Sequence, residues 1–411
     1  MRFALSLAVA LSLGGASSAV LAQPSPAAAR DGTVITDGPG APAPSPTHGR
    51  RAPLRRAAAG AAPVVQRPSE APLAIDGVAT LGMLTGGING TFVHIGSDIA
   101  AVAGSDTVRV MPLIGKGSLQ NLADLFNLRG VDLALVSADS ARAAEARGLY
   151  PGLRNRVYYI AKLYDQEVHI LAPHDVYTVA DLADKVVNVG VVGSGASITA
   201  PAVFEAMHIP IKQAHDSPAV ALEKLKRGEI AALVYTPAKP NRLLTSIPPN
   251  SGLHLLQLPV SEALVDTYVP AKFTHADYPS LVPEGEDVQT WAVPVLLTAY
   301  NWPVGTARYN NLAAFTDLFF SRLLDLQQPP FQEKWHDVNI RATVPGWTRA
   351  PYAQRWLDRS GVQSAAPAPV AAGFEKEAFN EWAAGIGLTK MTAAQNAQLF
   401  SLWRLRRGQG Q

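Results

Sequence analysis

Thr80-Leu81-Gly82-Met83-Leu84-Thr85-Gly86-Gly87-Ile88-Asn89-Gly90-Thr91 decides the fold. The apolar run over 80–85 reads as a strand, the glycines after it as a turn, and Phe92 to Ala103 carries helical spacing. About a hundred residues later the plan recurs: a strand over Val186–Val192, a turn over Gly193-Ser194-Gly195-Ala196-Ser197, and a helix over Thr199–Met207. Each half continues with a helix, a glycine and a buried strand. In the first half these are Ser118–Leu125, Gly130 and Asp132–Val136; in the second, Val220–Leu225, Gly228 and Ile230–Val234. Short apolar strands alternating with amphipathic helices build parallel sheets covered on both faces, so the pattern predicts two α/β lobes.

The 411 residues are enough for about two or three domains. With 48% hydrophobic residues and no Cys, the core needs no disulfide staple, and thiolate metal sites are excluded. Thirty-five Lys and Arg against 33 Asp and Glu give a net charge of +2, which rules out a broad basic face for nucleic acid.

Outside the lobes, Met1-Arg2, an apolar run over Phe3–Leu13 and Val20-Leu21-Ala22 before Gln23 read as a secretory signal peptide over 1–22. The run is too short to span a bilayer, so a periplasmic protein is expected. Residues 23–72 form an Ala/Pro-rich tether. Val168–Ala172 reads as a strand with a first crossover at 172–176, and Thr290–Thr298 as the returning strand. These place lobe 1 over 73–173 and 292–360 and lobe 2 over 174–291. Asn311–Leu326 reads as a helix packing back on lobe 1. A second Ala/Pro linker covers 361–373, and a C-terminal helical extension covers 374–411, with helices over 375–384 and 392–406.

The motifs for common enzyme chemistry are missing. Gly190-Val191-Val192-Gly193-Ser194-Gly195 has the wrong glycine order for a dinucleotide fingerprint, and Gly115-Lys116-Gly117-Ser118 lacks the spacing of a phosphate loop. The nine His are scattered with no H-E-x-x-H, and Ser194 has no nucleophile elbow. No catalytic residue, metal or cofactor is therefore expected. The two glycine-rich turns sit where loops feed helix N-termini, at the carboxyl ends of strands. There, free N–H groups and the helix dipole favour an anion. The alternative is that each is simply a tight strand-to-helix turn.

The order of motifs resembles the periplasmic solute-binding proteins of TRAP transporters, the TAXI branch, from about Thr80 to about Leu326. The matching pieces are Gly86–Thr91; Gly117-Ser118-Leu119-Gln120-Asn121-Leu122; Val131–Asp139; Ile160–His169; and Thr178-Val179-Ala180-Asp181-Leu182 leading into Val189–Ser197. The resemblance implies a two-lobed type II periplasmic-binding-protein fold with a hinge between the lobes. Its partners would be a small anionic or zwitterionic solute, an amino acid or a dicarboxylate, and ion-coupled membrane permease subunits, with no nucleic acid. Carried over, lobe 1 contributes Asn89, Gly90, Thr91, Ser118 and Ser137; the strand before the crossover, Tyr164 and Glu167; lobe 2, Ser194, Gly195, Ala196, Ser197 and Tyr235. In this scheme hydroxyls and N–H groups hold a carboxylate, Glu167 pairs with a ligand ammonium, and the tyrosines cover the carbon chain. Ser118 also fits a helix cap, Glu167 an ion pair with a neighbouring Arg, and Tyr164 a place in the core. Asp139 fits a cap for the helix near Ser140 and stays outside the set. Tyr235-Thr236-Pro237-Ala238-Lys239-Pro240 departs from the family, which has a glycine-rich stretch there. An ABC-importer binding protein and a ligand-sensing or scaffold subunit share the implied fold and remain alternatives.

Overall fold

The computed structural model describes residues 72–88, 90–259, 261–360, 379–388, 390–393, 395–396, 399–400 and 403. The expected signal peptide, the tether up to residue 71 and the linker over 361–373 lie outside the described residues.

Among the described residues, twelve strands form two sheets. They are β1 (Ala74–Ile75), β2 (Val78–Leu84), β3 (Val108–Leu113), β4 (Val131–Ser137), β5 (Val157–Glu167), β6 (His169–Pro173), β7 (Val186–Asn188), β8 (Lys212–Ala214), β9 (Ala232–Tyr235), β10 (Leu253–Leu255), β11 (Val269–Thr274) and β12 (Asp287–Tyr300). The helices that matter for the site are α1 (Thr91–Val102), α2 (Ser118–Asn127), α3 (Ser140–Ala146), α4 (Leu153–Arg156), α5 (Ala196–Ala206) and α6 (Pro218–Lys226).

Both sheets follow one plan. In the first, β3, β2 and β4 are parallel, and β12 adds antiparallel beside β4 with β5 on its far side. In the second, β8, β7 and β9 are parallel, and β6 adds antiparallel beside β9 with β10 beyond it. The antiparallel strand in each sheet is the one arriving from the other lobe. That arrangement is the two-lobed type II periplasmic-binding-protein fold.

The chain passes between the sheets at Val168, not at 172–176: β5 ends at Glu167 and β6 starts at His169. Val168 N–H donates to the Trp291 carbonyl at 2.8 Å, and the Thr290 hydroxyl donates to the Val168 carbonyl at 2.6 Å, so the two crossing segments are tied together. The passage is hard to see in sequence because the backbone runs on extended, with no turn residue to mark it. β7 is also shorter than expected. It stops at Asn188 because Gly190 and Gly193 adopt φ of +80° and +88°, which turn the chain, and α5 then starts at Ala196, three residues early.

Lobe 1 packs Leu81, Met83, Ile95, Ile99, Leu122 and Leu135 into one buried cluster, joined by Leu312, Phe315 and Phe319 of the returning helix Ala307–Ser321. Gly82 is required there, since a Cβ on it would lie 1.9 Å from the Gly130 carbonyl oxygen. Lobe 2 buries Ile170, Val187, Val203, Phe204 and Val234, and the same cluster takes in Phe379, Ala383, Leu388 and Leu399 from the C-terminal extension. Residues 348–350 lie along β5: Tyr159 N–H donates to the Thr348 carbonyl at 3.0 Å and Ala350 N–H to the Tyr159 carbonyl at 2.8 Å. Among the described residues, no helix is long and apolar enough to cross a membrane.

Candidate ligand-binding cleft

Four helices start at one place. The N-termini of α1 and α2 from lobe 1 and of α5 and α6 from lobe 2 all line a single cleft of about 260 Å³. The first N–H groups of an α-helix have no partner inside it. The residue at the cap position makes no side-chain cap bond in any of the four, although Ser194 Oγ takes one first-turn N–H of α5. Two glycines let the opposing ends meet. Gly117, at φ +99°, precedes α2, and a Cβ on it would lie 3.7 Å from the Gly195 nitrogen across the cleft; one on Gly195 would lie 3.2 Å from Ser118 Oγ. The Gln120 N–H donates across the lobes to the Gly193 carbonyl at 3.2 Å, and Ala238 N–H donates to Thr91 Oγ1 at 3.0 Å. The lobes are therefore in contact across the cleft.

The hydroxyls share one hydrogen-bonding state. Ser118 Oγ accepts the Ser137 N–H at 3.0 Å, Ser194 Oγ accepts the Ser197 N–H at 3.3 Å, and Thr91 Oγ1 accepts the Ala238 N–H. Each oxygen is engaged as an acceptor and keeps a proton for a second partner; Ser118 is fully buried and Thr91 nearly so, which leaves Ser194 the most open of the three. Of the described lining residues, only Lys116 is charged, and it is exposed. A cleft built from donors, with one cation and no carboxylate on the lining, suits a ligand rich in acceptors.

Of the residues expected from sequence, Gly90, Thr91, Ser118, Ser194, Gly195, Ala196 and Tyr235 come together on this lining. Ser118 is the first residue of α2 rather than its cap, which is Gly117. Burial pushes the Tyr235 phenol up to about 12, so it stays protonated at neutral pH. Asn89 lies outside the described residues.

Four others are not on the lining. Ser137 is buried and donates to Asp139 Oδ1 at 2.5 Å. Ser197 donates to the Ser194 carbonyl at 2.8 Å and accepts the Gly193 N–H at 3.1 Å, which braces the turn from within. Tyr164 is fully buried, its hydroxyl has no partner among the described residues, and burial, with the nearby Glu167 charge, pushes its pKa well up. Glu167 is also buried. Its carboxylate accepts the Lys239 N–H at 2.9 Å and pairs with Lys334 Nζ at 3.3 Å. This corrects the expected role of Glu167: it ties the end of β5 to Lys239 and Lys334 and is not placed to meet a ligand ammonium.

Sequence reasoning missed Lys116, Gln166, Ser217 and Thr236, which all line the cleft. Gln166 had a usable signal. Side chains alternate along a strand, so Gln166 and Glu167 point to opposite faces of β5, and Gln166 is the one on the cleft.

Behind the hinge lies a second cavity of about 240 Å³. Its cations are already engaged: Lys162 with Asp165 at 3.1 Å, Arg154 with Glu145, and Arg142 donating to Thr267 at 2.9 Å.

Weak similarity extends to several solved structures. Periplasmic binding protein BugD is 15% identical, covering 62% of this chain and 85% of its own, with a TM-score of 0.39. A mutant of ArgBP from T. maritima is 14% identical, covering 63% and 95%, with a TM-score of 0.38. The effector-binding domain of QuiR in complex with shikimate is 12% identical, covering 59% and 96%, with a TM-score of 0.35. A family model described as the NMT1-like family matches residues 83–302, just over half of the 411. The chain thus belongs to the NMT1-like family.

Proposed function

We propose that this chain is a periplasmic solute-binding subunit of a membrane importer. It traps a small carboxylate-bearing solute between its lobes and hands it on without chemical change. The observation that carries the reading is the convergence of four helix N-termini and three hydroxyls, from both lobes, on one cleft. Helix N-termini and hydroxyl donors together favour a carboxylate. An amino-acid ammonium would find no carboxylate on the described lining, so dicarboxylates and keto acids fit better than amino acids. An ion-coupled permease of the TRAP type is the proposed recipient, on the motif order quoted above, and an ABC permease is the alternative. The C-terminal extension contributes buried side chains to lobe 2. That supports a part of the lobe more than a free arm for docking a sensor.

The test is a thermal-shift screen of the chain from Gln23 with dicarboxylates, keto acids, amino acids and sugars. A ligand at 100 times its Kd adds about 2.7 kcal/mol, which is roughly 5–10 °C for a domain of this size. A shift with one acid, lost in Ser118→Ala and Ser194→Ala, supports the reading. No shift with any compound, from a folded and ligand-free sample, overturns it.

A further inference from the structure

Behind the cleft, both lobes converge on one carboxylate. Asp139 follows β4 in lobe 1 and is 3% exposed. It sits at the cap position of α3 but makes no side-chain cap bond there. Its Oδ1 accepts the Ser137 hydroxyl at 2.5 Å. Its Oδ2 accepts two more hydroxyls, from Thr199 at 2.7 Å and from Tyr268 at 3.0 Å. Thr199 lies on α5 in the other lobe, while Tyr268 packs in the lobe 2 core cluster and directly precedes β11, which pairs with β12 at the crossing.

We infer that Asp139 is a latch, a positioning residue that holds the lobes shut over the cleft. The inference rests on the hinged solute-binding reading. A carboxylate accepting hydroxyl protons makes stronger bonds than a neutral acceptor. Parting the lobes removes the Thr199 donor, disturbs the Tyr268 one at the crossing, and lets water in. The latch also connects to the cleft from either side. On one side, Ser137 donates its hydroxyl to Asp139 and its N–H to Ser118, which lines the cleft. On the other, Thr199 is three residues along α5 from Ala196, which lines the cleft too. Asp139 itself does not touch the lining and contacts no solute.

The chain has no Cys, so two introduced cysteines label uniquely. Arg109 on β3 and Lys212 on β8 are exposed and lie on the strands farthest from the crossing in each sheet, where opening moves them most. Nitroxide labels on R109C/K212C report the lobe separation of the ligand-free chain by electron–electron double resonance. Thr199→Val removes one Oδ2 donor and keeps the side-chain shape. The expected result is a shift of the open-to-closed ratio by roughly 10- to 150-fold, the weight of one hydrogen bond to a charged group, seen as a longer-distance population. If Thr199→Val does not fold, Tyr268→Phe, which retains its ring packing, carries the test. A variant that melts like the parent and keeps the parent distance distribution overturns the latch. The solute screen separates the two ideas. If the latch fails but the function stands, the acid shifts parent and variant equally. If the function fails, no acid shifts the parent, whatever the distances show.

Discussion

Gly195→Ala isolates lobe closure from lobe stability. Gly195 has φ −59° and ψ −48°, ordinary helical values that alanine adopts without strain. Within lobe 2, the added methyl would meet Thr236 Oγ1 at 3.6 Å, an ordinary contact. Its close contact is with lobe 1, at 3.2 Å from Ser118 Oγ, so shutting the cleft requires a few tenths of an ångström of give. Gly195 holds the cap position of α5, where alanine is less favoured than glycine, but its helical angles let alanine recover about 0.5–1 kcal/mol of backbone entropy, so the two roughly cancel. Overpacking a tight contact costs about 1–3 kcal/mol, which is roughly 5- to 150-fold in affinity. The expected outcome is unchanged stability of the open chain, with solute affinity weakened by that factor. Calorimetric titration with the acid found in the thermal-shift screen measures the affinity, and scattering measures the radius of the liganded chain. Parental affinity in Gly195→Ala, or loss of fold, would refute the view that the two helix ends meet across a closing cleft.

Further predictions rest on other contacts. Gly82→Ala forces a Cβ to 1.9 Å from a backbone oxygen, so it should lower stability by about 3 kcal/mol or more in denaturant melts. Glu167→Gln removes the charge facing Lys334 and should cost about 1–3 kcal/mol of stability. It should leave the preference between an amino acid and its deaminated analogue unchanged; a selective loss of the amino acid would return Glu167 to the ligand. His169 is buried with Nδ1 2.9 Å from the Glu167 carbonyl and Nε2 2.8 Å from the Tyr278 hydroxyl, and burial lowers its pKa from 6.5 to about 3. The folded-state value lies below the unfolded one, so the stability it contributes is present above pH 6.5 and is lost as pH falls from there toward 3. Melting temperature should therefore begin to drop between about pH 6.5 and 5, before most carboxylates titrate, and His169→Phe should flatten that part of the profile.

The repeated strand–turn–helix plan was legible because it is local. Glycine at the turn and apolar runs on either side leave few alternatives for residues 80–103 and 186–207. The crossing was not legible, since β5 and β6 run on as extended backbone through Val168. Within the cleft, Ser118, Ser194 and Gly195 were readable from their place at helix starts. Ser197 was misjudged because a hydroxyl that faces a ligand and one that braces its own turn look alike in sequence. Alternation of strand side chains puts Glu167 on the face opposite Gln166; Tyr164 has the parity of Gln166 but is fully buried, next to a register shift in β5. Asp139, Thr199 and Tyr268 meet across 60 and 129 residues of sequence, and no local pattern joins them.

The segment at 348–350 has a consequence for solubility. β5 is an eleven-residue strand at the margin of its sheet, with β12 on one side. Such a margin, left bare, offers N–H and carbonyl groups to any passing chain and invites association. Thr348 and Ala350 take up both backbone groups of Tyr159, and Arg349 holds the segment down by donating to the Ile340 and Ala342 carbonyls at 2.6 and 2.7 Å. The same residues that close the lobe 1 scaffold thus serve as a guard strip against self-templating. A chain cut just before them would lose that protection along the strand that feeds the hinge.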